Sequence, residues 1–186
     1  MDHPPVIPDV RKLKSPSAHG GSADVREQFR EYAVGAQPRL RRSAYLLCGD
    51  WHTAEDLVQT TFGRLFRSWA RVSRADSVDA YARTVLYRAF LDLKQKDPAT
   101  VALDAAPEPA SPADDAALRL AVRSALDTLP PRARAVVVLR FWEDLTVEQT
   151  ADALGVSAGT VKSQTSRAIA ILRQRLGAAV GELIHD

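Results

Sequence analysis

The sequence has little of what marks several familiar classes of protein. Its 186 residues include one cysteine, Cys48, so an internal disulfide is excluded. The four histidines, His3, His19, His52 and His185, are scattered and have no ligand-like spacing to a second cysteine, which argues against a zinc site. Cys48 falls in the apolar run YLLC, and we interpret it as a small buried residue rather than a redox sensor.

Long hydrophobic runs and the motifs of common catalytic sites are also missing. Although 46% of the residues are hydrophobic, no stretch approaches the roughly 20 apolar residues of a membrane span. The N-terminal MDHPPVIPDV is unlike an export signal, so we expect a cytoplasmic protein without membrane insertion. There is no GxxxxGKS/T, GxGxxG or GxSxG motif. We therefore predict no enzyme activity, no catalytic residue, no metal site and no cofactor.

Charge and proline are distributed unevenly along a chain whose net charge is only +2. Residues 24–97 carry 13 basic and 10 acidic side chains, and residues 119–186 carry 9 and 7. Residues 98–118 carry four acidic side chains, no basic ones and four prolines. Such a composition is typical of an extended connector between two folded units.

This pattern predicts the domain organisation. We place one helical domain at 24–97, an acidic flexible linker at 98–114 and a second helical domain at 115–177. Residues 1–23 contain four prolines and no helical period, so they are predicted to be a disordered tail. Residues 178–186 are assigned as a C-terminal tail.

Apolar residues recur at helical spacing throughout the first domain. The period predicts a helix over 25–36, a second after Pro38, a third capped by Thr53 and a fourth from Ser77 to Lys96. The third helix is predicted to be the core helix because one apolar stripe follows its whole length. The stripe consists of Ala54, Leu57, Val58, Thr61, Phe62, Leu65, Phe66 and Trp69.

Aromatic and cationic residues alternate in the fourth helix. Tyr81, Tyr87 and Phe90 lie among Arg83 and Arg88. This mixture can stack the bases and neutralise the phosphates of a single strand. The alternative, that the aromatic residues belong to the core, stays open at this point.

The stretch from 146 to 172 has the spacing of a helix-turn-helix. Thr146 and Gln149 form a capping-box pair that would begin a helix ending at Gly155. Ser157 is placed to cap the second helix, and Val161 would pack that helix onto the first. The exposed side of the second helix would then carry polar residues suited to a major groove. A plain helical bundle is the alternative.

Three segments together resemble a known family. They are AEDLVQTTFGRLFRSW, SVDAYARTVLYRAFLDLKQK and LDTLPPRARAVVVLRFWEDLTVEQTADALGVSAGTVKSQTSRA. The chain resembles the extracytoplasmic-function (ECF) sigma factors of the sigma-70 family over about residues 24–177, and most of all a SigE-like subgroup common in actinobacteria. The resemblance implies an all-α fold in which a four-helix region 2 domain is joined by a flexible linker to a helix-turn-helix region 4 domain. It implies core RNA polymerase and promoter DNA as partners, with an anti-sigma factor as a further one.

The resemblance also implies roles for individual residues. Polymerase would be bound by Asp56, Gln59 and Thr60, where Thr60 replaces the usual glutamate. The minus-10 element would be recognised and melted by Arg74, Asp76, Tyr81, Arg83 and Arg88. The minus-35 element would be read by Thr160, Lys162, Ser163, Gln164, Ser166 and Arg167.

Two of these positions depart from the family pattern. Arg88 stands where an asparagine is usual, and Gln164 replaces a frequent arginine. Two alternative functions remain open from the residues alone. The chain would be a conventional helix-turn-helix regulator if the first domain sensed a ligand or dimerised. It would be an interaction module if its main role were to be held by an inhibitory protein.

Overall fold

The computed structural model describes residues 22–96 and 121–177, and within them it contains helices and no strand. The predicted all-α fold is confirmed. The linker at 98–114 and the tail at 178–186 lie outside the described residues, as does the tail at 1–23 except for its last two residues. The helices are α1 (Ser22–Cys48), α2 (Trp51–Val72), α3 (Val78–Lys96), α4 (described over 121–127), α5 (Pro131–Val137, continued by a π-helical turn Val138–Trp142), α6 (Val147–Leu154) and α7 (Ala158–Leu176).

The helix break predicted at Pro38 is wrong. Helix α1 runs through Pro38 without interruption, so the first two predicted helices are one. A proline inside a helix removes one backbone hydrogen bond, but tertiary packing overrides this local cost. The buried residues Ala36, Leu40, Ala44 and Leu47 continue at helical spacing across the proline, and they keep α1 packed against its neighbours.

The predicted cap of the core helix is also wrong. Helix α2 begins one turn earlier than expected, because the N-cap is Asp50 and its carboxylate accepts from the backbone N–H of Thr53 at 2.7 Å. Thr53 therefore lies inside the first turn. The apolar stripe is otherwise buried or half-buried, but Phe66 is 43% exposed and lies against Phe29 with 5.0 Å between the ring centroids.

Helices α1, α2 and α3 pack together around aromatic and aliphatic side chains. Trp69 contacts both Phe29 and Tyr32 of α1, with ring centroids 5.2 Å apart in each case. An ion pair ties α1 to α3, since the Arg39 guanidinium donates to both carboxylate oxygens of Asp79 at 2.8 and 2.5 Å. The Arg39 hydrogen bonds are the main reason that the pKa of Asp79 lies below its usual value.

The second domain is built around α5. The buried side chains Val136, Ala151 and Val161 bring α5, α6 and α7 together. Arg134 of α5 is buried and donates to the backbone carbonyl oxygens of Asp127 and Leu129 at 2.9 and 3.4 Å. These contacts fix the end of α4 and the turn before α5.

The described parts of the two domains are not separate in this structure. One continuous apolar cluster joins side chains of α1–α3 to Val138, Leu139 and Ala153 of the second domain. Arg134 also donates to the carbonyl oxygen of Leu47, at 2.7 Å, near the end of α1. The sequence suggested two units held only by a linker, because nothing in its local patterns encodes this contact.

Candidate nucleic-acid and polymerase-binding surfaces

The helix-turn-helix has the predicted caps and turn. Thr146 accepts from the backbone N–H of Gln149 at 3.1 Å, and the Gln149 side chain accepts from the backbone N–H of Thr146 at 2.9 Å. Gly155 has φ 67°, in the left-handed region that favours glycine. Ser157 then caps α7 by accepting from the backbone N–H of Thr160 at 3.1 Å. The direction of α7 is therefore fixed by local hydrogen bonds at both sides of the turn.

The predicted minus-35 residues occupy one side and the first turn of α7. Lys162, Ser163, Ser166 and Arg167 are exposed, whereas Val161 on the opposite side is completely buried. The Ser163 hydroxyl donates to the carbonyl oxygen of Thr160 at 3.0 Å.

Thr160 and Gln164 are half-buried, so they lie at the edge of the exposed side rather than on it. The four exposed residues form a polar surface that a DNA groove can reach.

A groove beside this surface brings in two cations that the sequence analysis did not assign. It has a volume of about 490 Å³, and Arg140 and Arg173 line it together with Lys162, Thr165 and Ser166. Arg140 comes from the π-helical turn, which is distant from α7 in the sequence, so spacing within the motif could not reveal it. Arg140, Lys162 and Arg173 place three cations at one groove, which would favour binding of the DNA phosphate backbone there.

The predicted polymerase-binding residues are exposed on α2. Asp56, Gln59 and Thr60 lie about one turn apart, so they share one side of the helix. The neighbouring Glu55 is paired with Arg41 of α1 at 2.8 Å. The surface is polar, and it lies opposite the buried residues of the core stripe.

The predicted minus-10 residues do not form one exposed surface in this structure. Arg74 and Asp76 are exposed in the turn between α2 and α3. Tyr81 is only 5% exposed, and Tyr87 and Phe90 are completely buried. The aromatic residues of α3 therefore belong to the core here, which is the alternative left open above.

The two arginines of α3 contact the second domain. Arg83 pairs with the Glu143 carboxylate at 3.5 Å, and Ser43 donates to the other oxygen of that carboxylate at 2.5 Å. The Arg88 side chain donates to the carbonyl oxygen of Ala153 at 3.3 Å. Burial, and secondly the nearby Glu143 carboxylate, raise the pKa of Tyr87 well above its ordinary value.

Comparison with known proteins agrees with this architecture. The family model "Sigma-70 region 2" matches residues 34–97, and the model "Sigma-70, region 4" matches residues 125–174. The chain belongs to the sigma-70 family of RNA polymerase sigma factors. The region 2 match covers the part that a conventional regulator would use for sensing or dimerisation, so that alternative is not favoured. The sigma factor's function is to direct RNA polymerase to promoters in transcription initiation.

Its similarity to individual relatives supports the ECF assignment. It is 40% identical to the RNA polymerase sigma-E factor of Streptomyces coelicolor over 154 residues, which are 80% of this chain and 86% of that protein. It is 35% identical to the ECF RNA polymerase sigma factor SigE of Mycolicibacterium smegmatis, covering 74% of this chain and 57% of that one. The predicted SigE-like resemblance is confirmed.

Two solved structures share the fold. RpoE of Bartonella quintana, in complex with the anti-sigma factor NepR, has a TM-score of 0.65 and 25% identity, and the match covers 81% of this chain and 97% of that one. CnrH in complex with the cytosolic domain of CnrY has a TM-score of 0.61 at 22% identity, covering 84% and 94%. Over residues 22–96 and 121–177, no helix is long and apolar enough to cross a membrane.

Proposed function

We propose that this sigma factor divides promoter recognition between α7 and α3 and binds core polymerase through α2. The observation that carries the proposal is the exposed polar side of α7, which is held in place by the two caps and by Gly155. Arg167 would contact base edges of the minus-35 element, and Lys162 would contact phosphate. Thr160, Ser163, Gln164 and Ser166 would complete the minus-35 surface.

The minus-10 element would be captured as a single strand by α3 and the turn before it. Arg74 and Asp76 are exposed there and would hold a nucleotide that has left the stack. Extracting a base costs a few kcal/mol, and stacking with phosphate contacts offsets this. Arg83 and Arg88 of α3 would supply the phosphate contacts, whereas Tyr81 is buried in the core and would hold α3 in place rather than stack on a base. Melting by capture requires no hydrolysis, so the proposal includes no catalytic residue and no cofactor.

The polar side of α2 would be the polymerase interface. Asp56, Gln59 and Thr60 are exposed together and are not used by the contact between the domains. An anti-sigma factor is proposed as a further partner, because RpoE of Bartonella quintana was solved in complex with one. With these partners, the protein would act in the cytoplasm.

A pair of matched substitutions on α7 tests the minus-35 assignment. Arg167→Ala should slow promoter-specific initiation by the equivalent of about 1–3 kcal/mol in activation free energy. It should leave assembly with core polymerase unchanged. Arg175→Ala removes the same charge from an exposed position near the end of the same helix, and it should change initiation little. The measurement is run-off transcription from a promoter library with purified core polymerase.

A second pair tests the polymerase interface. Replacing Asp56 and Gln59 together with alanine should weaken binding to core polymerase, measured by fluorescence anisotropy of the labelled sigma factor. The control replaces Glu31 and Gln37, an acid and an amide that are exposed on α1. Equal loss of core binding in the Arg167→Ala variant and in the α2 double variant would contradict the division of roles.

A further inference from the structure

The second half of helix α2 is strongly basic. Residues 57–75 contain four arginines and no acidic residue. One of the four is paired with an aspartate of α3. The other three are exposed, and within residues 22–96 and 121–177 their side chains form no ion pair and no hydrogen bond. These three are Arg67, Arg71 and Arg74.

The three unpaired arginines follow one side of the helix. Arg67 and Arg71 are four residues apart, and Arg74 lies in the turn that follows, so the row is about 10 Å long at 1.5 Å per residue. Like charges four residues apart destabilise a helix. The helix dipole offsets this for Arg71, which lies in the last turn, but not for Arg67. The row is therefore suited to an anionic partner.

An exposed aromatic ring lies beside this row. Phe66 directly precedes Arg67 and is 43% exposed. It contacts Phe29 of α1, with 5.0 Å between the ring centroids, so the ring is held in place although much of it faces solvent. A fixed ring beside exposed cations is the combination that binds single-stranded nucleic acid, because bases stack on the ring while the cations contact phosphates.

Helix α3 does not supply such a ring. Tyr81 is 5% exposed, and Tyr87 and Phe90 are completely buried, so none of them can stack on an unpaired base. Within residues 22–96, every aromatic residue except Phe66 is buried or half-buried. The exposed ring of this domain is therefore on α2, close to the turn that carries the proposed minus-10 residues.

We propose that Phe66, Arg67 and Arg71 form a sequence-independent site for single-stranded DNA along α2. The inference rests on the proposed minus-10 role of Arg74 and Asp76, because the site begins next to that turn. One nucleotide would be held at the turn, and the strand beyond it would follow α2 with a base on the ring and phosphates on the arginines. No base edge is contacted, so the site would hold the melted strand rather than choose the promoter.

The site is distinct from the proposed polymerase surface on the same helix. Gly63 lies between Thr60 and Phe66, and nothing lies within 4 Å of a Cβ atom added to it, so it leaves a gap between the two surfaces. The surfaces also differ in charge. Asp56 gives the polymerase surface a negative charge, whereas the second half of α2 is positive, so the two fit partners of opposite charge.

The test of the aromatic ring uses the full chain and a labelled random-sequence single strand. Phe66→Ala should lower the affinity measured by fluorescence anisotropy about tenfold, because stacking of one base is lost. Phe66→Trp should keep the affinity. The control Phe141→Ala removes a ring that is 48% exposed in the second domain, and it should change the affinity little. Affinity for the duplex of the same sequence should not change in Phe66→Ala, because paired bases are not free to stack on the ring.

A further variant separates stacking from folding. Phe66→Leu keeps an apolar side chain against Phe29 but lacks the ring, so it should lose single-strand affinity as Phe66→Ala does. Circular dichroism confirms folding of each variant, and Phe66→Leu replaces Phe66→Ala if the alanine variant does not fold.

The test of the arginines measures the salt dependence of the same binding. Each phosphate contact on a single strand contributes about 0.7 to the slope of log affinity against log salt concentration. Replacing Arg67 and Arg71 together with glutamine should therefore reduce this slope by about 1.4. The control replaces Arg26 and Arg42, two exposed arginines of α1, with glutamine, and it should leave the slope unchanged. Neither pair of substitutions should weaken binding to core polymerase.

The inference is overturned if Phe66→Leu and the α2 arginine pair bind the single strand with the affinity and salt slope of their controls. It is also overturned if these variants lose affinity for core polymerase instead, because α2 would then be a protein interface along its whole length. Run-off transcription separates these outcomes from a failure of the proposed function. If the unmodified protein initiates transcription but the α2 variants match their controls, only the α2 site is refuted. If the unmodified protein initiates at no promoter of the library, the proposed function itself is refuted.

Discussion

Substituting alanine for Gly155 should destabilise the helix-turn-helix through backbone strain alone. The residue has φ 67°, and an L-residue in the left-handed region costs about 1–2 kcal/mol. A Cβ atom there would lie 3.9 Å from the Arg88 side chain, at ordinary contact distance, so no steric term is added. Alanine also has less conformational freedom than glycine in the unfolded chain, which stabilises the folded state by about 0.4–1 kcal/mol. We expect a net loss of about 1 kcal/mol.

Substituting alanine for Gly35 should instead raise the free energy of unfolding. Gly35 lies inside α1, and nothing lies within 4 Å of an added Cβ atom. Replacing a glycine inside a helix with alanine stabilises by about 0.5–1 kcal/mol. The two variants therefore make one chemical change in two backbone conformations, which isolates the contribution of φ.

Urea unfolding followed by circular dichroism measures both effects. In a thermal melt, a change of 1 kcal/mol in the free energy of unfolding would shift the melting temperature by about 2–4 °C in a protein of this size. Gly155→Asn should lower the free energy of unfolding less than Gly155→Ala does, because asparagine tolerates the left-handed conformation better. The reasoning would be refuted if Gly155→Ala and Gly35→Ala moved the free energy of unfolding in the same direction.

Two further predictions concern titrating groups in the first domain. The hydrogen bonds from Arg39 lower the pKa of Asp79 in the folded state, so the stability they provide is present above about pH 4 and is lost as the pH falls further. Asp79→Asn should lower the free energy of unfolding by up to about 1 kcal/mol at pH 7, a small value because the ion pair is partly exposed to solvent. Chemical denaturation at pH 3 should show a smaller difference between this variant and the unmodified protein. Burial raises the pKa of the Cys48 thiol to about 12. Because the thiolate is the reactive form, the thiol in the folded protein should resist alkylation by iodoacetamide at pH 8. Mass spectrometry should detect alkylation of Cys48 only when urea unfolds the chain. Rapid alkylation without urea would show that α1 opens locally around Cys48.

The sequence was most informative where short-range rules decide the structure. The capping pair Thr146 and Gln149 and the turn at Gly155 involve residues close together in the chain, and all three have the predicted conformations. Helix α1 continues through Pro38 because packing of the helix on both sides of the proline outweighs the local preference of that residue. Asp50 and Thr53 are both good cap residues, so composition could not choose between them. The contact of Ser43 with Glu143 joins residues 100 positions apart, which no local pattern encodes.

The π-helical turn at 138–142 makes the length of this segment as important as its composition. Its closing hydrogen bond joins the backbone N–H of Glu143 to the carbonyl oxygen of Val138 at 3.0 Å, five residues back rather than four. Removing one residue would convert the turn to an ordinary helix and rotate the chain beyond it by about 100°. Glu143 would then face away from Arg83, and α6 and α7 would leave α5 in another direction. Insertions and deletions should therefore be tolerated far less here than substitutions at exposed positions such as Trp142.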